Sequence, residues 1–373
     1  MKKIYLLLGI CLVIMSTQLV GQNSDKITRV LEYKPAPGQH INRLFPTPAM
    51  SDTPENALKF ASDCLINNKS MLGLGAYGGY VIVGFDHPIV NVANAYDFKA
   101  LGNAYTNASE PGIVMVCQDL NKNGKPDTNE PWYELAGSEF NHASTIHNYE
   151  ITYFRPIPDG QKSNIRWTDN QGAEGIVTHI SFASQATIFP LWITENSVTF
   201  KGTRLRKNAA LNGSVWTLTA FDWGYADNYA NNSENDKIGF DIDWAVDSEG
   251  NRVELKYIDF IKVYTGISQE AGIIGETSTE LAGIVDLHPN AEIVSGTKRV
   301  NDTKISTQIK ENQLIVKSDD DIKTIELYNI NGAKLIQGNN RTTLDISNLS
   351  KGIYLLKIEN KNGWTSMKII KPY

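Results

Sequence analysis

The chain has 373 residues, with 35 Lys and Arg against 41 Asp and Glu, which gives a formal net charge of -6 at pH 7. This acidic balance argues against nucleic acid or an anionic membrane surface as a partner, because both attract basic protein surfaces. The length is sufficient for one large domain or two ordinary domains, each with its own hydrophobic core.

The first 21 residues have the three parts of a secretory signal peptide. Two lysines precede an apolar run over residues 4–14, and small and polar residues follow as far as Gly21. The run is too short to span a membrane, and no later stretch is apolar enough to do so. Cys11 lies inside the run, which favours ordinary cleavage near Gly21 over lipoprotein processing. We therefore expect an exported protein with no transmembrane segment once the signal peptide is removed.

Residues 22–288 are predicted to form the main domain, which contains one convincing helix. Thr53 can cap this helix, Pro54 suits its first position, and apolar residues follow at helical spacing. Short β-branched and aromatic runs predict strands over residues 80–85, 112–117, 149–154, 175–182, 197–201, 215–221 and 258–264. Many short strands without helical connections predict an all-β fold, a jelly roll or another β-sandwich.

A polar, irregular segment over residues 289–302 has the composition of a linker. The residues that follow, 303–373, predict a small immunoglobulin-like β-sandwich of alternating strands. Its predicted strands are residues 313–317, 324–328, 334–337, 343–346, 352–358 and 365–370, with Asn-Gly hairpin turns at 331–332 and 362–363.

The C-terminal segments Ile325–Gly332, Leu344–Leu355 and Lys368–Pro372 resemble the type A sorting domain of type IX secretion substrates in order, spacing and position. The resemblance implies recognition by the outer-membrane translocon and its sorting machinery. It also implies cleavage, after which the cargo is attached to a surface lipopolysaccharide or set free. The alternative is a purely structural immunoglobulin-like module.

The larger unit is similar to a family of Bacteroidetes cell-surface proteins over roughly residues 30–288. The segments that carry this similarity are residues 75–79, 110–116, 132–139, 166–172, 221–228 and 275–280. Some members of that family are associated with outer-membrane cobalamin uptake. The resemblance therefore implies a surface location, and it gives cobalamin as a candidate ligand.

Residues 119–130 have the spacing of a calcium-binding loop. Positions 1, 3, 5, 6, 7, 9 and 12 of such a loop fall on Asp119, Asn121, Asn123, Gly124, the Lys125 carbonyl, Asp127 and Glu130. Calcium needs several hard oxygen ligands around one point, and the glycine permits the sharp turn between them. Strand-like sequence precedes the loop and Pro131 follows it, so we expect a calcium loop inside a β domain. The alternative is a polar hairpin loop without metal.

Asp241 and Asp243 form a pair of carboxylates in a second acidic region, which also contains Asp222, Asp227 and Asp247. If residues 240–244 form a strand, its alternation places both carboxylates on one face. Such a pair could serve a glycosidase or hold a second cation, although a strand with one solvated face is the commoner explanation.

Residues 222–228 are the candidate ligand-binding loop. Trp223 and Tyr225 lie among turn residues beside Asp222 and Asp227, and exposed rings there would stack on a sugar or a flat macrocycle. Packing of the same rings in the core is the alternative.

Two further patterns carry little functional information. The glycines of residues 73–78 match a dinucleotide-binding pattern, but a strand is predicted where that motif needs a helix. They are better explained by tight turns or close packing. Cys64 and Cys117 are the only cysteines left after signal removal, and they are compatible with a disulfide or with two buried thiols.

The leading hypothesis is a non-enzymatic, calcium-stabilised surface protein that binds a small-molecule or glycan ligand as an accessory to nutrient capture. The first alternative is a secreted carbohydrate-active enzyme or carbohydrate-binding module. The second is a structural or adhesive surface protein.

Overall fold

The computed structural model of the chain describes residues 23–42, 53–181, 183–293, 305–318, 320–329, 333–361 and 363–371. The chain divides into two compact units, residues 1–293 and 294–373. The predicted signal peptide, most of the predicted linker and the Asn-Gly pair at 331–332 lie outside the described residues, as does Asn362.

The N-terminal unit is formed mainly by strands. They are β1 (Arg29–Lys34), β2 (Leu72–Gly73), β3 (Tyr80–Val90), β4 (Phe98–Leu101), β5 (Gly112–Cys117), β6 (Tyr133–Leu135), β7 (Ile146–Phe154), β8 (Ile165–Asp169), β9 (Glu174–Val177), β10 (Ser197–Arg204), β11 (Ala209–Asn212), β12 (Val215–Leu218), β13 (Gly239–Phe240), β14 (Ala245–Val246), β15 (Tyr257–Thr265), β16 (Glu280–Leu281) and β17 (Gly283–Asp286). The helical elements are α1 (Pro54–Leu65), α2 (Asn235–Ile238) and the 3-10 turns Ile242–Trp244 and Gly272–Ile274. The predicted all-β class is confirmed.

The predicted helix is present as α1. The Thr53 side chain accepts a hydrogen bond from Asn56 N at 3.3 Å, and Pro54 occupies the first turn. Ala57 and Ala61 are fully buried, so the apolar face of the helix packs into the core. The cap and the apolar spacing together explain why this segment forms a helix within a β-rich chain.

Two sheets of the N-terminal unit share one hydrophobic core. The larger sheet has the strand order β1-β3-β15-β5-β6-β14, and the smaller one has the order β10-β7-β8-β9. Thr203 N in β10 donates to Tyr264 Oη in β15 at 2.9 Å, and buried side chains from both sheets belong to the same cluster. This core holds the loops at the sheet ends in place. The jelly-roll topology stays a prediction.

One predicted strand of this unit is shorter than expected. The pattern indicated a strand over residues 175–182, whereas β9 ends at Val177. Side chains take the next backbone donors, because Thr178 N donates to Glu270 Oε1 at 2.5 Å and His179 N donates to Asn164 Oδ1 at 2.8 Å. Donors used in this way cannot continue a ladder of backbone hydrogen bonds.

The C-terminal unit has two sheets, with the orders β18-β19-β22 and β21-β20-β23-β24. Its strands are β18 (Ser306–Lys310), β19 (Gln313–Lys317), β20 (Ile322–Asn329), β21 (Lys334–Asn339), β22 (Thr343–Asp345), β23 (Gly352–Asn360) and β24 (Gly363–Lys371). Leu314, Ile325 and Leu356 are fully buried in a core of its own. The immunoglobulin-like classification stays a prediction.

Candidate functional site

The calcium-type loop, residues 119–130, joins β5 to β6 and is closed by its own side chains. Asp119 Oδ1 accepts from Asn123 N at 3.0 Å, and Asp119 Oδ2 accepts from Gly124 N at 2.7 Å. Asn123 Oδ1 in turn accepts from Lys125 N at 2.8 Å. Gly124 has a φ of 79°, a left-handed conformation that glycine adopts without strain. The sharp turn expected at the sixth position of the loop is therefore present.

The second half of this loop folds back on the first. Asp127 Oδ2 accepts from Asn121 Nδ2 at 2.6 Å and from Asn123 Nδ2 at 2.7 Å. Glu130 is only 3% exposed and accepts from Leu120 N at 2.7 Å and from Asp127 N at 2.9 Å. The side chains predicted to be ligands thus point toward the interior of one loop.

The oxygen-rich composition of the calcium-type loop fits a hard cation. Its geometry is not yet that of a coordination sphere. Within the described residues, Asp119, Asp127 and Glu130 do not form a group whose oxygens all lie within 4.8 Å of one another. The amide nitrogens of Asn121 and Asn123 also face Asp127, so calcium would require both amides to turn their oxygens inward. Calcium binding stays a prediction.

A second carboxylate group is assembled from three segments that are distant in sequence. Gly112 and Ala226 pair as an isolated bridge, and Glu110 N donates to the Asp227 carbonyl at 3.0 Å. Glu280 begins β16, and its N–H donates to Asp227 Oδ2 at 2.9 Å. Carboxylate oxygens of Glu110, Asp227 and Glu280 lie within 4.8 Å of one another. Backbone pairing, and no local motif, creates this group.

Asp227 is the fixed member of the group. Its Oδ1 accepts from Asn103 N at 2.7 Å and from Ala104 N at 2.8 Å, and the side chain is almost fully buried. A Cβ atom at Gly102 would lie 2.2 Å from Asp227 Oδ1, so the glycine leaves the space that the carboxylate occupies. Burial raises the pKa of Asp227, although three backbone N–H groups oppose the rise.

Glu110 and Glu280 hydrogen-bond to each other through their carboxyl groups, which requires a proton on one of them. Glu110 Oε1 also accepts from Ser278 N at 3.1 Å. Burial raises the pKa of both glutamates, and the negative charge of Asp227 raises both further. The pair therefore holds a proton at neutral pH unless a cation takes its place.

A cavity of about 550 Å³ adjoins these carboxylates. We call it the acid pocket, because Glu110, Glu276 and Glu280 line it. Glu276 is 5% exposed, and its Oε1 accepts from Gln39 N at 2.6 Å. Its Oε2 is buried and makes no hydrogen bond within the described residues. Burial raises the pKa of Glu276 to about 7, even though the backbone and side chain of Gln39 lower it.

The remaining wall of the acid pocket is largely apolar. Tyr33 and Phe60 line it, as do Met71 and Ile274, each of which is 44% exposed. The neighbouring Ile273 is 78% exposed. Exposed apolar side chains beside a cavity that also carries polar groups are typical of a small-molecule site.

The four residues predicted to bind ligand do not share one surface. Asp222 is exposed and Trp223 is 36% exposed, with its ring against Trp244 at 4.6 Å between centroids. Tyr225 is buried, and its hydroxyl accepts from Glu139 N at 2.9 Å. Asp227 is buried beside Glu110 and Glu280 and is not among the residues that line the acid pocket. The predicted loop therefore contributes one surface ring and, separately, one buried carboxylate.

The strand predicted for residues 240–244 is wrong. The strand β13 covers only Gly239–Phe240, and Ile242–Trp244 is a 3-10 turn. Asp241 caps this turn, since its Oδ1 accepts from Asp243 N at 2.8 Å. Asp243 instead pairs with Arg252 at 3.3 Å and accepts from Asn91 Nδ2 at 3.1 Å. The two carboxylates therefore have separate local roles and do not share a strand face.

The two patterns with little functional content behave as local structure. Gly75 and Gly78 have positive φ values. A Cβ at Gly75 would clash with Ala36 O, and a Cβ at Gly78 would clash with Phe200, which confirms close packing as their role. Cys64 and Cys117 are both free and buried. Burial raises the pKa of the Cys64 thiol to about 11, so it stays protonated.

Reasoning from the sequence missed Glu110, Glu276 and Glu280. Each lies in a segment that carries the resemblance of the larger unit, within residues 110–116 and 275–280, and Asp227 lies within 221–228. The sequence therefore did contain a signal for this site, because three of the segments that carry the family resemblance contain its acidic residues. Their convergence, however, depends on long-range strand pairing.

Comparison with known proteins identifies the C-terminal unit alone. Residues 310–372 match the family described as the secretion system C-terminal sorting domain. No curated protein matches the chain. A solved beta-glucuronidase from an uncultured Clostridium sp. is similar at 9% identity and a TM-score of 0.16, over 77% of this chain and 46% of that enzyme. The chain thus spans less than half of the enzyme, and the likeness carries no functional argument.

The described part of the chain contains no helix with the length and hydropathy needed to cross a membrane. The sorting domain lies at the C-terminus, within the residues predicted to carry it. It marks the chain as a protein that the type IX secretion system exports to the cell surface.

Proposed function

We propose that this exported protein is a cell-surface ligand-binding protein and that it takes its ligand in the acid pocket. The observation that supports this most is the combination of a cavity of about 550 Å³ with apolar walls and three carboxyl groups. Small-molecule sites are commonly cavities of about 300–1,000 Å³ that are mostly apolar, with a few polar groups that fix the ligand's orientation. Nutrient capture is the role that fits a protein displayed outside the cell.

The chemistry of the acid pocket selects a ligand with an apolar body and polar groups that donate hydrogen bonds or carry positive charge. Met71 and Ile274 offer contact to the apolar body, whereas Glu276 and Glu280 accept hydrogen bonds. The family resemblance supplies cobalamin as a candidate ligand. Its corrin edge carries amide groups, which can donate hydrogen bonds to these carboxyl groups. The cavity would admit part of that edge, with the rest of the molecule outside.

Calcium is proposed as the stabilising ion of the calcium-type loop. Asp119, Asn121, Asn123, Asp127 and Glu130 would be its side-chain ligands, and Lys125 would contribute its carbonyl. An ion that binds only the folded loop stabilises the folded state by mass action. Because the loop joins β5 to β6, this stabilisation would reach the central sheet.

The finer features of the fold belong to the same proposal. Residues 22–288 would form a jelly roll, residues 289–302 a linker, and residues 303–373 an immunoglobulin-like sorting domain. The shared core of the two large sheets supports the first assignment, and the match over residues 310–372 supports the last.

The test uses calorimetry on the full mature chain, first with cobalamin and then with a panel of polysaccharides assayed for released sugar. Met71→Ser with Ile274→Ser removes apolar wall without changing any carboxyl group and should weaken binding at least about tenfold, since a bound ligand would no longer bury these two apolar side chains. Ile157→Ser is the matched control, because Ile157 is 90% exposed and does not line the pocket.

Three outcomes would contradict the proposal. Equal affinity of the wall variant and the Ile157→Ser control would place the ligand elsewhere, and Trp223→Ala would then test the surface around Trp223. Release of sugar from any polysaccharide would establish the carbohydrate-active enzyme. Binding of neither class would leave the structural or adhesive role.

A further inference from the structure

The carboxylate group beside the acid pocket has the composition of a cation site. Among the histidine, cysteine and acidic side chains that the structure describes, Glu110, Asp227 and Glu280 form the group whose ligand atoms all lie within 4.8 Å of one another. Asp227 is held by backbone N–H groups at 2.7–2.9 Å, and Glu110 by Ser278 N at 3.1 Å. The oxygens are therefore already positioned before any ion arrives.

Among the described residues, no lysine or arginine balances the negative charge of this group. Within the described residues, neither these three carboxylates nor Glu276 forms an ion pair with lysine or arginine. Burying unpaired carboxylates so close together is costly, and proteins usually resolve the cost with a proton or a bound cation. A shared proton relieves only part of the charge of three carboxylates.

Glu276 supplies an independent observation. It lines the same pocket as Glu110 and Glu280, it is 5% exposed, and its buried Oε2 makes no hydrogen bond within the described residues. A buried acceptor without a partner destabilises the folded state. The cavity that Glu276 shares with Glu110 and Glu280 gives an ion a route in from solvent.

We propose that Glu110, Asp227 and Glu280 bind a hard divalent cation at a site separate from the calcium-type loop. Carboxylate oxygens without nitrogen or sulfur donors select Ca²⁺, Mg²⁺ or Mn²⁺ over zinc and copper. Water or the organic ligand completes the coordination on the side of the acid pocket. The site goes beyond the proposed function, and it stands whether or not cobalamin is the ligand.

The test counts the cations bound by the full mature chain when the calcium-type loop is disabled. Asp119→Ala with Glu130→Ala is titrated with Ca²⁺, Mg²⁺ and Mn²⁺ by calorimetry, and bound Mn²⁺ is followed by electron paramagnetic resonance. We expect one remaining ion for each chain. Adding Glu110→Gln and Glu280→Gln, which keep the shape of the protonated pair, should weaken that binding at least about tenfold, because even the loss of outer partners costs roughly 10–100-fold.

Asp241→Asn with Asp243→Asn is the matched control, since it removes two neighbouring carboxylates away from the acid pocket. Equal loss in this control would reveal general attraction to surface charge and overturn the site. Absence of any divalent ion from the loop-disabled protein would overturn it without reference to how the glutamine variant folds. Either failure leaves the Met71 and Ile274 test of the organic ligand untouched, so the two proposals fail separately.

Discussion

The calcium-type loop and the acid pocket both gather carboxylates, but they do so by opposite means. Every predicted ligand of the loop lies within twelve consecutive residues, and its carboxylates accept hydrogen bonds from neighbouring backbone and amide donors. In the acid pocket, Glu110 and Ser278 meet although they are 168 residues apart, and Glu110 and Glu280 bond to each other. Local donors stabilise charge in the first case, whereas burial opposes it in the second.

This difference shows why one region was found from the sequence and the other was not. A metal loop is a local pattern, because backbone geometry fixes which neighbours can face one point. A pocket built by strand pairing has no fixed spacing in the chain. Each region is therefore expected to respond to its own mutations, which makes the comparison testable.

The largest expected effect concerns the C-terminal unit. Its deletion tests whether the calcium-type loop and the acid pocket keep their structure without it. Deleting residues 303–373 should abolish surface display, because the sorting domain that the translocon recognises lies within them. The N-terminal unit has its own core, so we expect folded protein in the periplasm with unchanged calcium response. Surface proteolysis and fractionation of cells would measure this, with the full-length chain carrying Trp223→Ala as control. Undiminished display of the truncated chain would contradict the export mechanism.

The next largest effect is the pH dependence of stability at the acid pocket, measured in chelator. Burial raises the pKa of Glu276 to about 7, above its usual value of 4.5. A raised carboxyl pKa means that the folded state keeps a proton that the unfolded state has released. Stability from this group is therefore complete below pH 4.5 and is lost as the pH rises through 7.

Glu276→Gln should reduce the loss of unfolding free energy between about pH 5 and 8 by up to about 3 kcal/mol. The estimate uses about 1.36 kcal/mol for each unit by which the pKa is raised. Urea unfolding at several pH values measures the difference. Asp247→Asn is the control, because backbone N–H groups lower the pKa of this residue and its titration lies below the window. A slope shared by wild type and Glu276→Gln would show that Glu276 is already ionised near pH 5.

The sequence predicted features that depend on neighbours in the chain. It located the Thr53 cap of α1, the core strand Gly112–Cys117 and the turn at Gly124. It failed at residues 240–244, where the Asp241 side chain caps a turn and overrides the alternating pattern. It could not place Tyr225 inside the core, because burial of an aromatic ring depends on the packing of other segments.

The calcium-type loop should contribute a stability increment of its own, in addition to that of any ion bound by Glu110, Asp227 and Glu280. At a calcium concentration about 100 times the dissociation constant, the increment is about 2.7 kcal/mol. Asp119→Ala with Glu130→Ala should remove it, as thermal unfolding with calcium and with chelator would show. Asp247→Ala with Glu249→Ala removes an acidic pair, half-buried at Asp247 and exposed at Glu249, from another turn and should retain the increment. Equal melting temperatures of the wild-type protein in calcium and in chelator would exclude the site.

The smallest expected effect comes from substitutions that change the backbone conformation of the calcium-type loop and leave its charge unchanged. Gly124 and Gly160 both have φ values of 79°, and a Cβ at Gly124 would approach only the flexible end of Arg29, at 3.3 Å. A Cβ at Gly160 would meet nothing within 4 Å. Alanine at either position should therefore cost about 1 kcal/mol in chelator, because left-handed backbone is strained for any residue with a Cβ.

Calcium should separate these two alanine variants. Gly124 occupies the turn around which the ligands are arranged, so strain there should lower calcium affinity as well as stability. Gly160 lies outside the loop, and its variant should gain the full calcium increment. Unfolding of Gly124→Ala and Gly160→Ala, each with and without calcium, gives four free energies of unfolding. The calcium increment of Gly160→Ala minus that of Gly124→Ala measures the effect of the turn at Gly124 on calcium binding. If that difference is zero, the turn at Gly124 serves the fold of residues 119–130 and not an ion.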